Sequence, residues 1–239
     1  MATMKSKEYL TLKDIKLPIV YRLSNEEFNG NIFIKNNYLI KICDIILSNK
    51  EEPAYKKLKK CKEKLSEEEK ILLSHSLKVK LNENIPKEIY SLINARVYFF
   101  VSKIGNEEVI KKIGGSLDKS GILGTLNFYL GGMSGSPGRP RFIINALIKK
   151  ELLKGRNIEL FSIFLPIKEI KVFTPFFKEE KVIKISSYKE YEKMCLDEYR
   201  MIVGKYPEWN FQENKVDYPK ELEELFNKYH RCRIKDYII

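Results

Sequence analysis

The sequence predicts an α+β fold in which a small mixed β-sheet is flanked by helices. A dense run of β-branched and aromatic residues at 96–101 precedes Gly105-Asn106 and a second run at 109–113, a pattern typical of a β-hairpin. Apolar residues then recur at helical spacing from about 140 to 154, and residues 157–165 have the composition of a strand. This irregular order of strands and helices indicates α+β rather than a parallel α/β sheet.

The region before the hairpin, residues 1–93, is predicted to be an N-terminal extension with an accessory or recognition function. Residues 31–47 alternate apolar and polar side chains, which indicates one or two strands. Residues 53–75 favour helix and are interrupted near Ser66, where Ser-Glu-Glu-Glu is typical of the start of a second helix. Pro86 begins another short helical stretch that leads into the hairpin.

The segment after the hairpin is rich in glycine. Residues 114–138 hold eight of the twelve glycines of the chain, and no charged side chain occurs from 120 to 138. We therefore expect an inserted loop, and a long loop beside an active site usually has a function. Gly155 then marks the end of the helix that follows this loop.

Beyond residue 165 the sequence predicts a weaker hairpin, a helix and a helical tail. The strands of the hairpin are expected at 170–173 and 182–185. The helix covers 188–203 and ends at Gly204, because glycine readily adopts the conformation that terminates a helix. Residues 213–239 form the C-terminal helical tail.

Composition excludes several classes of protein. The chain of 239 residues suits one large domain, or a core of roughly 100 residues with substantial additions. No apolar run approaches the ~18 residues that a membrane span requires, and residues 1–16 are too charged for a secretory signal. We therefore expect a cytoplasmic protein with no membrane partner. The four cysteines and two histidines have no zinc-site spacing, so no zinc is expected.

The net charge of +12 is concentrated in the middle of the chain. Residues 96–160 carry 11 Lys and Arg against 5 Asp and Glu, whereas residues 161–239 carry 15 against 14. Residues 1–95 carry 18 against 13. A basic excess confined to one segment is typical of contact with nucleic-acid phosphates.

Four short motifs lie on these elements in the order Val97-Tyr98, Lys112-Ile113-Gly114, Arg139-Pro140-Arg141, and Glu198 with Asn210 twelve residues later. In identity and order they resemble the motifs of the GIY-YIG nuclease superfamily, and in particular those of its type II restriction endonucleases. The similarity covers about half of the chain, residues 94–212, which the resemblance makes the catalytic core with an insertion at 114–138.

The resemblance implies a sequence-specific endonuclease that hydrolyses double-stranded DNA. It implies that Glu198 binds one Mg²⁺ or Mn²⁺ per active site and that Arg141 binds a phosphate at a helix N-terminus. Tyr98 would orient or deprotonate the attacking water. Asn210 would hold a phosphate or fix the loop that follows the metal-binding glutamate.

Two departures from the family pattern leave assignments open. The first motif keeps Tyr98 but has Arg96 where the family has glycine, and Lys112 stands where the family usually has its second tyrosine. A lysine at that position can bind phosphate and lower the pKa of Tyr98 as a positive neighbour. We expect Tyr98 to be the base and Lys112 its electrostatic partner, with Lys112 as the alternative base. Either Arg139 or Arg141 is the catalytic arginine.

DNA contacts are expected from the basic middle segment, and the predicted DNA-binding residues are Lys111, Lys119, Arg139, Asn145 and Lys149. Cleavage of both strands of a duplex requires two active sites, which favours a homodimer or a larger assembly. Two other functions stay open at this point. One is a DNA-binding module that keeps the scaffold without cleaving, and the other is a nuclease that acts on structured RNA.

Overall fold

The computed structural model of the protein describes residues 7–29, 38–173 and 180–235. The strands are β1 (Ile19–Val20), β2 (Leu39–Ser48), β3 (Ser76–Leu81), β4 (Ala95–Ile104), β5 (Glu107–Ser116), β6 (Asn157–Leu165), β7 (Ile167–Phe173) and β8 (Glu180–Ser186). The helices are α1 (Asn25–Asn29), α2 (Pro53–Lys60), α3 (Glu67–Ser74), α4 (Glu88–Ser91), α5 (Gly121–Leu130), α6 (Arg139–Leu153), α7 (Tyr188–Val203), α8 (Phe211–Asn214) and α9 (Lys220–Lys235). The predicted α+β class is confirmed.

The main sheet has the strand order β1-β2-β6-β4-β5, with β3 paired to the side of β2. The pairing of β1 with β2 is parallel, and the other pairings are antiparallel. β2 comes from the region before residue 94 and pairs with β6, so the N-terminal region contributes to the same sheet as the predicted core. β5 lies at one end of the strand order and bears the candidate site.

The predicted hairpin is confirmed as β4 and β5, which are longer than the apolar runs that indicated them. The strands pair in a register that places Phe99 opposite Ile113 and Phe100 opposite Lys112. Gly105 has a φ of +53° in the turn, a conformation that glycine adopts without steric cost. Side chains of β4 alternate between two cores, so Tyr98 faces one side of the sheet and Val97 faces the other.

Several helix boundaries follow from local sequence. Ser66 caps α3 through a hydrogen bond from the N–H of Glu69, whose side chain bonds back to the N–H of Ser66. Gly155 and Gly204 have φ values of +79° and +85° just beyond α6 and α7, as their positions predicted. The weaker hairpin is confirmed as β7 and β8. Of the predicted strand region 31–47, residues 31–37 lie outside the described residues.

The interpretation of residues 114–138 as a loop throughout is wrong. The segment begins with the end of β5 and contains the ten-residue helix α5. Ile122, Leu126 and Tyr129 recur at helical spacing and are buried against the sheet. Their burial outweighs the low helix propensity of the glycines, because tertiary packing provides most of the stability of a helix this short.

The helices form layers on both faces of the sheet. α5 and α6 contribute to the core on the side of Tyr98, and α7 packs on the opposite side through Leu196 and Tyr199. A third core joins α2, α3, α6 and the tail helix α9, where Phe142 contacts Phe226. Within the described ranges, no helix combines the length and the apolar character needed to cross a bilayer.

Candidate active site

A cavity of about 100 Å³ lies beside the edge strand β5. Its lining includes Lys112 from β5, Tyr129 from α5 and Arg141 from α6. The segment after α7 completes it with Trp209 and Glu213. Residues that are more than 100 positions apart in the chain, from Lys112 to Glu213, therefore contribute to one site.

Lys112 is partly buried at this cavity, and its side chain takes part in no ion pair or hydrogen bond within the described part of the chain. Burial lowers the pKa of its ammonium group, because removal from water disfavours the charged form. The nearby carboxylates of Glu213 and Glu192 oppose this effect without reversing it. A lysine of this kind can bind an anion or, when neutral, accept a proton.

Trp209 and Asn210, which follow α7 in the chain, hydrogen-bond to the residues of β5 on either side of Lys112. The N–H of Trp209 donates to the carbonyl oxygen of Lys111 at 2.8 Å. The Asn210 side chain accepts from the N–H of Ile113 at 3.0 Å and donates to its carbonyl oxygen at 2.9 Å. Asn210 is buried, so it fixes the position of this loop and does not reach a phosphate.

Tyr98 lies beneath the cavity and does not line it. Its hydroxyl is 2.7 Å from that of Tyr129, and a Cβ at position 114 would lie 2.5 Å from the same oxygen. Gly114 therefore makes room for the Tyr98 ring. Burial raises the pKa of Tyr98 and raises that of Tyr129 to about 12. Among the described residues, Arg96 is the one cation that lowers the pKa of Tyr98, and desolvation outweighs its charge, so these residues do not give Tyr98 phenolate character.

Arg96, which precedes Val97 and Tyr98 on β4, has a local structural role. Its buried guanidinium donates to the carbonyl oxygens of Asn94 at 2.7 Å, Asp118 at 3.0 Å and Gly121 at 2.6 Å. Burial lowers its pKa to about 10. These bonds fasten the start of α5 to the hairpin and thereby fix the helix that carries Tyr129.

The two predicted arginines face different partners. Arg141 lines the cavity, donates to the carbonyl oxygen of Gly131 at 2.8 Å and has a buried Nε with no hydrogen-bond partner among the described residues. Arg139 is exposed and forms an ion pair with Glu223 of α9 at 3.1 Å. Arg141 is thus the arginine that the structure brings to Lys112.

The structure does not bring Glu198 to this cavity. Glu198 is exposed on α7, and its charge acts on Tyr191 and Cys195. Glu192 lies six residues earlier, which is about 120° away around the helix and about 9 Å along it. A Cβ at position 115 would lie 2.5 Å from Oε2 of Glu192, which also accepts a backbone hydrogen bond there. Glu192 does not line the cavity either, but it is the glutamate of α7 whose charge acts on Lys112.

Glu192 is partly buried and forms no ion pair in the described ranges. Burial raises the pKa of its carboxyl group, while Lys112 and the bond from Gly115 oppose the rise. Its charge also acts on both Tyr98 and Tyr129. An unpaired carboxylate that is partly removed from water is stabilised by a nearby cation.

Two of the predicted DNA-binding residues are buried, so that part of the prediction is wrong. Lys149 is 0% exposed, and its Nζ lies 2.5 Å from Oε1 of Glu52. Asn145 donates to the carbonyl oxygens of Tyr129 and Leu130 at the end of α5. Position 149 lies seven residues after the buried Phe142, which places both on one face of α6, and this spacing is visible in the sequence.

The remaining predicted DNA-binding lysines differ in exposure. Lys119 is exposed on the loop between β5 and α5. Lys111 forms an ion pair with Glu208 at 2.6 Å, and its side chain is only 12% exposed. Lys119 is therefore open to solvent, whereas Lys111 would have to leave an acidic partner to contact a phosphate.

Sequence reasoning missed Tyr129, Glu192 and Glu213. The helical spacing from Ile122 to Tyr129 was the available signal for the first. The two glutamates have no comparable signal, because their role depends on how α7 and α8 pack against β5. Within the described ranges, no group of three or more His, Cys, Asp or Glu side chains could hold a metal ion, and the four cysteines are free thiols.

Comparisons with known proteins give limited information. No protein-family model matches the chain, and no curated protein matches it. Among solved structures, the chain is similar to the restriction endonuclease HPY188I in complex with product DNA. The two share 17% sequence identity over 87% of this chain and 95% of that chain, with a TM-score of 0.34. A score this low does not establish a shared fold, so the function is inferred from the residues of the site.

Proposed function

We propose that the protein is a metal-dependent endonuclease that hydrolyses double-stranded DNA, with a GIY-YIG-type active site and a role like that of a type II restriction enzyme. The observation that carries this proposal is the convergence of Lys112 and Arg141 on one cavity. Neither side chain has a carboxylate partner in an ion pair within the described residues, although Glu192 and Glu213 act electrostatically on Lys112. Two cations without ion-pair partners at a partly enclosed cavity suit a phosphodiester group.

Arg141 is the group that binds the phosphate in this proposal. It lies in the first turn of the 15-residue helix α6, where a positive charge opposes the helix dipole unless an anion is present. Its unsatisfied Nε has a donor available for a phosphate oxygen. The basic excess of residues 96–160 adds long-range attraction for DNA.

The carboxylates at this site fit Mg²⁺. This ion is usually held by one or two carboxylates together with waters and substrate phosphates. Glu213 lines the cavity, and Glu192 acts electrostatically on Lys112 from α7. When bound, Mg²⁺ would stabilise negative charge on the phosphate during hydrolysis. Glu192 is the first choice as its ligand, because it is partly buried and lacks an ion-pair partner in the described ranges.

Lys112 is the base in this proposal. The oxygen of a water molecule forms a bond to phosphorus, and Nζ of the neutral Lys112 takes a proton from that water. The leaving oxygen departs with the electron pair of the broken bond and takes a proton from solvent. Burial increases the fraction of Lys112 that is neutral, whereas it makes Tyr98 and Tyr129 harder to deprotonate. Tyr129 would orient the water by hydrogen bonding, Tyr98 would hold the Tyr129 hydroxyl, and both tyrosines would keep their protons.

Two copies of the chain are needed for a double-strand break, so the proposal includes a homodimer or larger assembly. The N-terminal region 1–93 and the tail 213–239 would provide recognition or subunit contacts. Lys119 and Arg139, both exposed, would contact DNA away from the reacting phosphate.

The experiment that tests the proposal is plasmid cleavage. Supercoiled plasmid should be converted to linear or nicked forms with Mg²⁺ and remain intact with EDTA. Lys112→Met should abolish the conversion, and the control Lys78→Met, at an exposed position on β3, should not. Binding without cleavage would support the non-cleaving alternative. Preferential cleavage of structured RNA in a competition assay would support the RNA alternative.

A further inference from the structure

An exposed aromatic side chain borders the cavity. Phe128 of α5 is 50% exposed, and it lines the cavity together with Arg141. The guanidinium of Arg141 lies over its ring at 5.2 Å from the centroid. The ring of Tyr129 meets it edge-on at a centroid distance of 5.2 Å and an interplanar angle of 89°. Two neighbours therefore hold the ring in place while half of its surface faces solvent.

The surface around Phe128 has a chemical character that differs from that of the cavity. Residues 120–138 contain no charged side chain, and the neighbouring Asn127 is exposed. The cavity itself carries the cations of Lys112 and Arg141. An apolar ring thus borders a phosphate-sized, positively charged site, and an exposed amide stands at the preceding position of α5. A nucleotide has the matching parts, because its phosphate is anionic and its base has an apolar face and a polar edge.

We infer that Phe128 is a stacking platform for the base of the nucleotide whose phosphate occupies the cavity, and that Asn127 hydrogen-bonds to the edge of that base or its neighbour. This inference rests on the proposed function and names the part of the DNA that α5 contacts. Stacking on an aromatic side chain tolerates any base, whereas an asparagine amide discriminates between bases. α5 therefore supplies contact beyond the phosphate and selects among sequences.

Fluorescence tests the inference because the chain contains a single tryptophan, Trp209, which is 2% exposed. A Phe128→Trp variant adds an exposed indole at the cavity, and stacking with a base quenches indole emission. The matched control is Tyr21→Trp, because Tyr21 is 49% exposed and its ring contacts Phe161 on the opposite face of the sheet. The probe is a set of short duplex fragments of a plasmid that the protein cleaves, added with Ca²⁺ in place of Mg²⁺.

The expected result is quenching in Phe128→Trp and no comparable change in Tyr21→Trp or in the parent protein. Binding provides the second measurement. Phe128→Ala and Phe128→Leu should weaken binding to the duplex by at least ~5-fold, the lower end of what loss of base stacking causes, and Phe128→Trp should not. If Phe128 only positioned Arg141, the Ala and Leu variants would lower kcat with binding unchanged, and the Trp variant would show no quenching.

The outcomes separate this inference from the proposed function. Cleavage of DNA by the parent protein without quenching in Phe128→Trp would overturn the inference and leave the proposed function standing. A parent protein that neither binds nor cleaves duplex DNA would overturn both.

Discussion

The hydroxyl of Tyr129 lies 2.7 Å from that of Tyr98, and Tyr129 stands between the buried Tyr98 and the cavity. The two phenols form a buried hydrogen bond, and burial raises the pKa of both. Tyr98 can therefore influence a molecule in the cavity only through Tyr129. In the proposed mechanism, Lys112 therefore takes the role of base that the family resemblance implies for Tyr98.

We predict that Tyr98→Phe lowers the cleavage rate by less than ~10-fold, because its hydroxyl does not reach the cavity. It should also lower the free energy of unfolding by about 1 kcal/mol, the usual contribution of a hydrogen bond. Tyr129→Phe should reduce the rate more strongly. Plasmid cleavage and urea denaturation measure the two effects. If Tyr98→Phe abolishes cleavage without a change in stability, Tyr98 is the base after all.

The pH dependence of cleavage should follow the protonation of Lys112. Lys112 must be neutral to accept a proton, so the rate should rise with pH through its lowered pKa and level off above it. Lys112→Arg stays protonated at all of these pH values and should lose at least ~100-fold in rate while it still binds DNA. A Lys112→Arg variant with the parent rate would show that this side chain acts only through its charge.

Lys112→Met should make the protein more stable at neutral pH. Below its folded-state pKa, Lys112 is charged in both states, and the folded state bears the cost of burying that charge. The cost disappears as pH rises from this lowered pKa to the ordinary lysine value, because the buried amine loses its proton first. The difference in Tm between variant and parent should thus be positive at neutral pH and shrink in alkaline buffer. A lower Tm for the variant would argue against an uncompensated charge.

Three glutamates allow a matched test of the metal ligands. Glu192→Gln and Glu213→Gln should each reduce cleavage at fixed Mg²⁺ by at least ~100-fold, because both carboxylates are the proposed metal ligands and both act on Lys112. Glu198→Gln, on another face of the same helix as Glu192, should stay within a few-fold of the parent. Mg²⁺ titrations of each variant provide the measurement. Loss of activity in Glu198→Gln alone would show that Glu198, and not Glu192, is the metal ligand on α7.

The buried ion pair of Lys149 and Glu52 is expected to stabilise the fold and not to bind DNA. Lys149→Met leaves Glu52 as an uncompensated buried charge and should lower the free energy of unfolding by about 3–5 kcal/mol. Combining it with Glu52→Leu should recover most of that loss. Lys59→Met breaks the exposed pair with Glu51 and should cost at most ~1 kcal/mol in the same denaturant titration. A small effect of Lys149→Met would contradict the burial of this pair.

Elements with a strong local signal were predictable from the sequence. The hairpin of β4 and β5 has dense β-forming runs around a glycine turn, and α7 ends at Gly204 as expected. α5 was not predicted, because its glycines are typical of a loop. The segment is helical because the helix buries Leu126 and Tyr129 in the core. Local composition alone does not measure how much apolar surface a segment buries.

The site was predictable in part. The sequence identified Lys112 and Arg141, which the structure brings to one cavity. It could not distinguish Glu192 from Glu198, since both are acidic residues on one amphipathic helix and the choice depends on which face packs against β5. Lys149 was predicted to be an exposed, DNA-binding residue, but it lies on the buried face of α6. The helical spacing of the apolar residues around it would have shown this.

The bonds from Trp209 and Asn210 to β5 also determine when the protein can become active during its synthesis. Residues 111–113 leave the ribosome long before residue 210 does, and the separation of 97 residues between Ile113 and Asn210 must be closed before the cavity exists. A nascent chain that has not yet reached residue 209 has Lys112 but neither Glu213 nor the bonds from Trp209 and Asn210 that hold β5. An unfinished copy of this proposed nuclease therefore lacks the complete site.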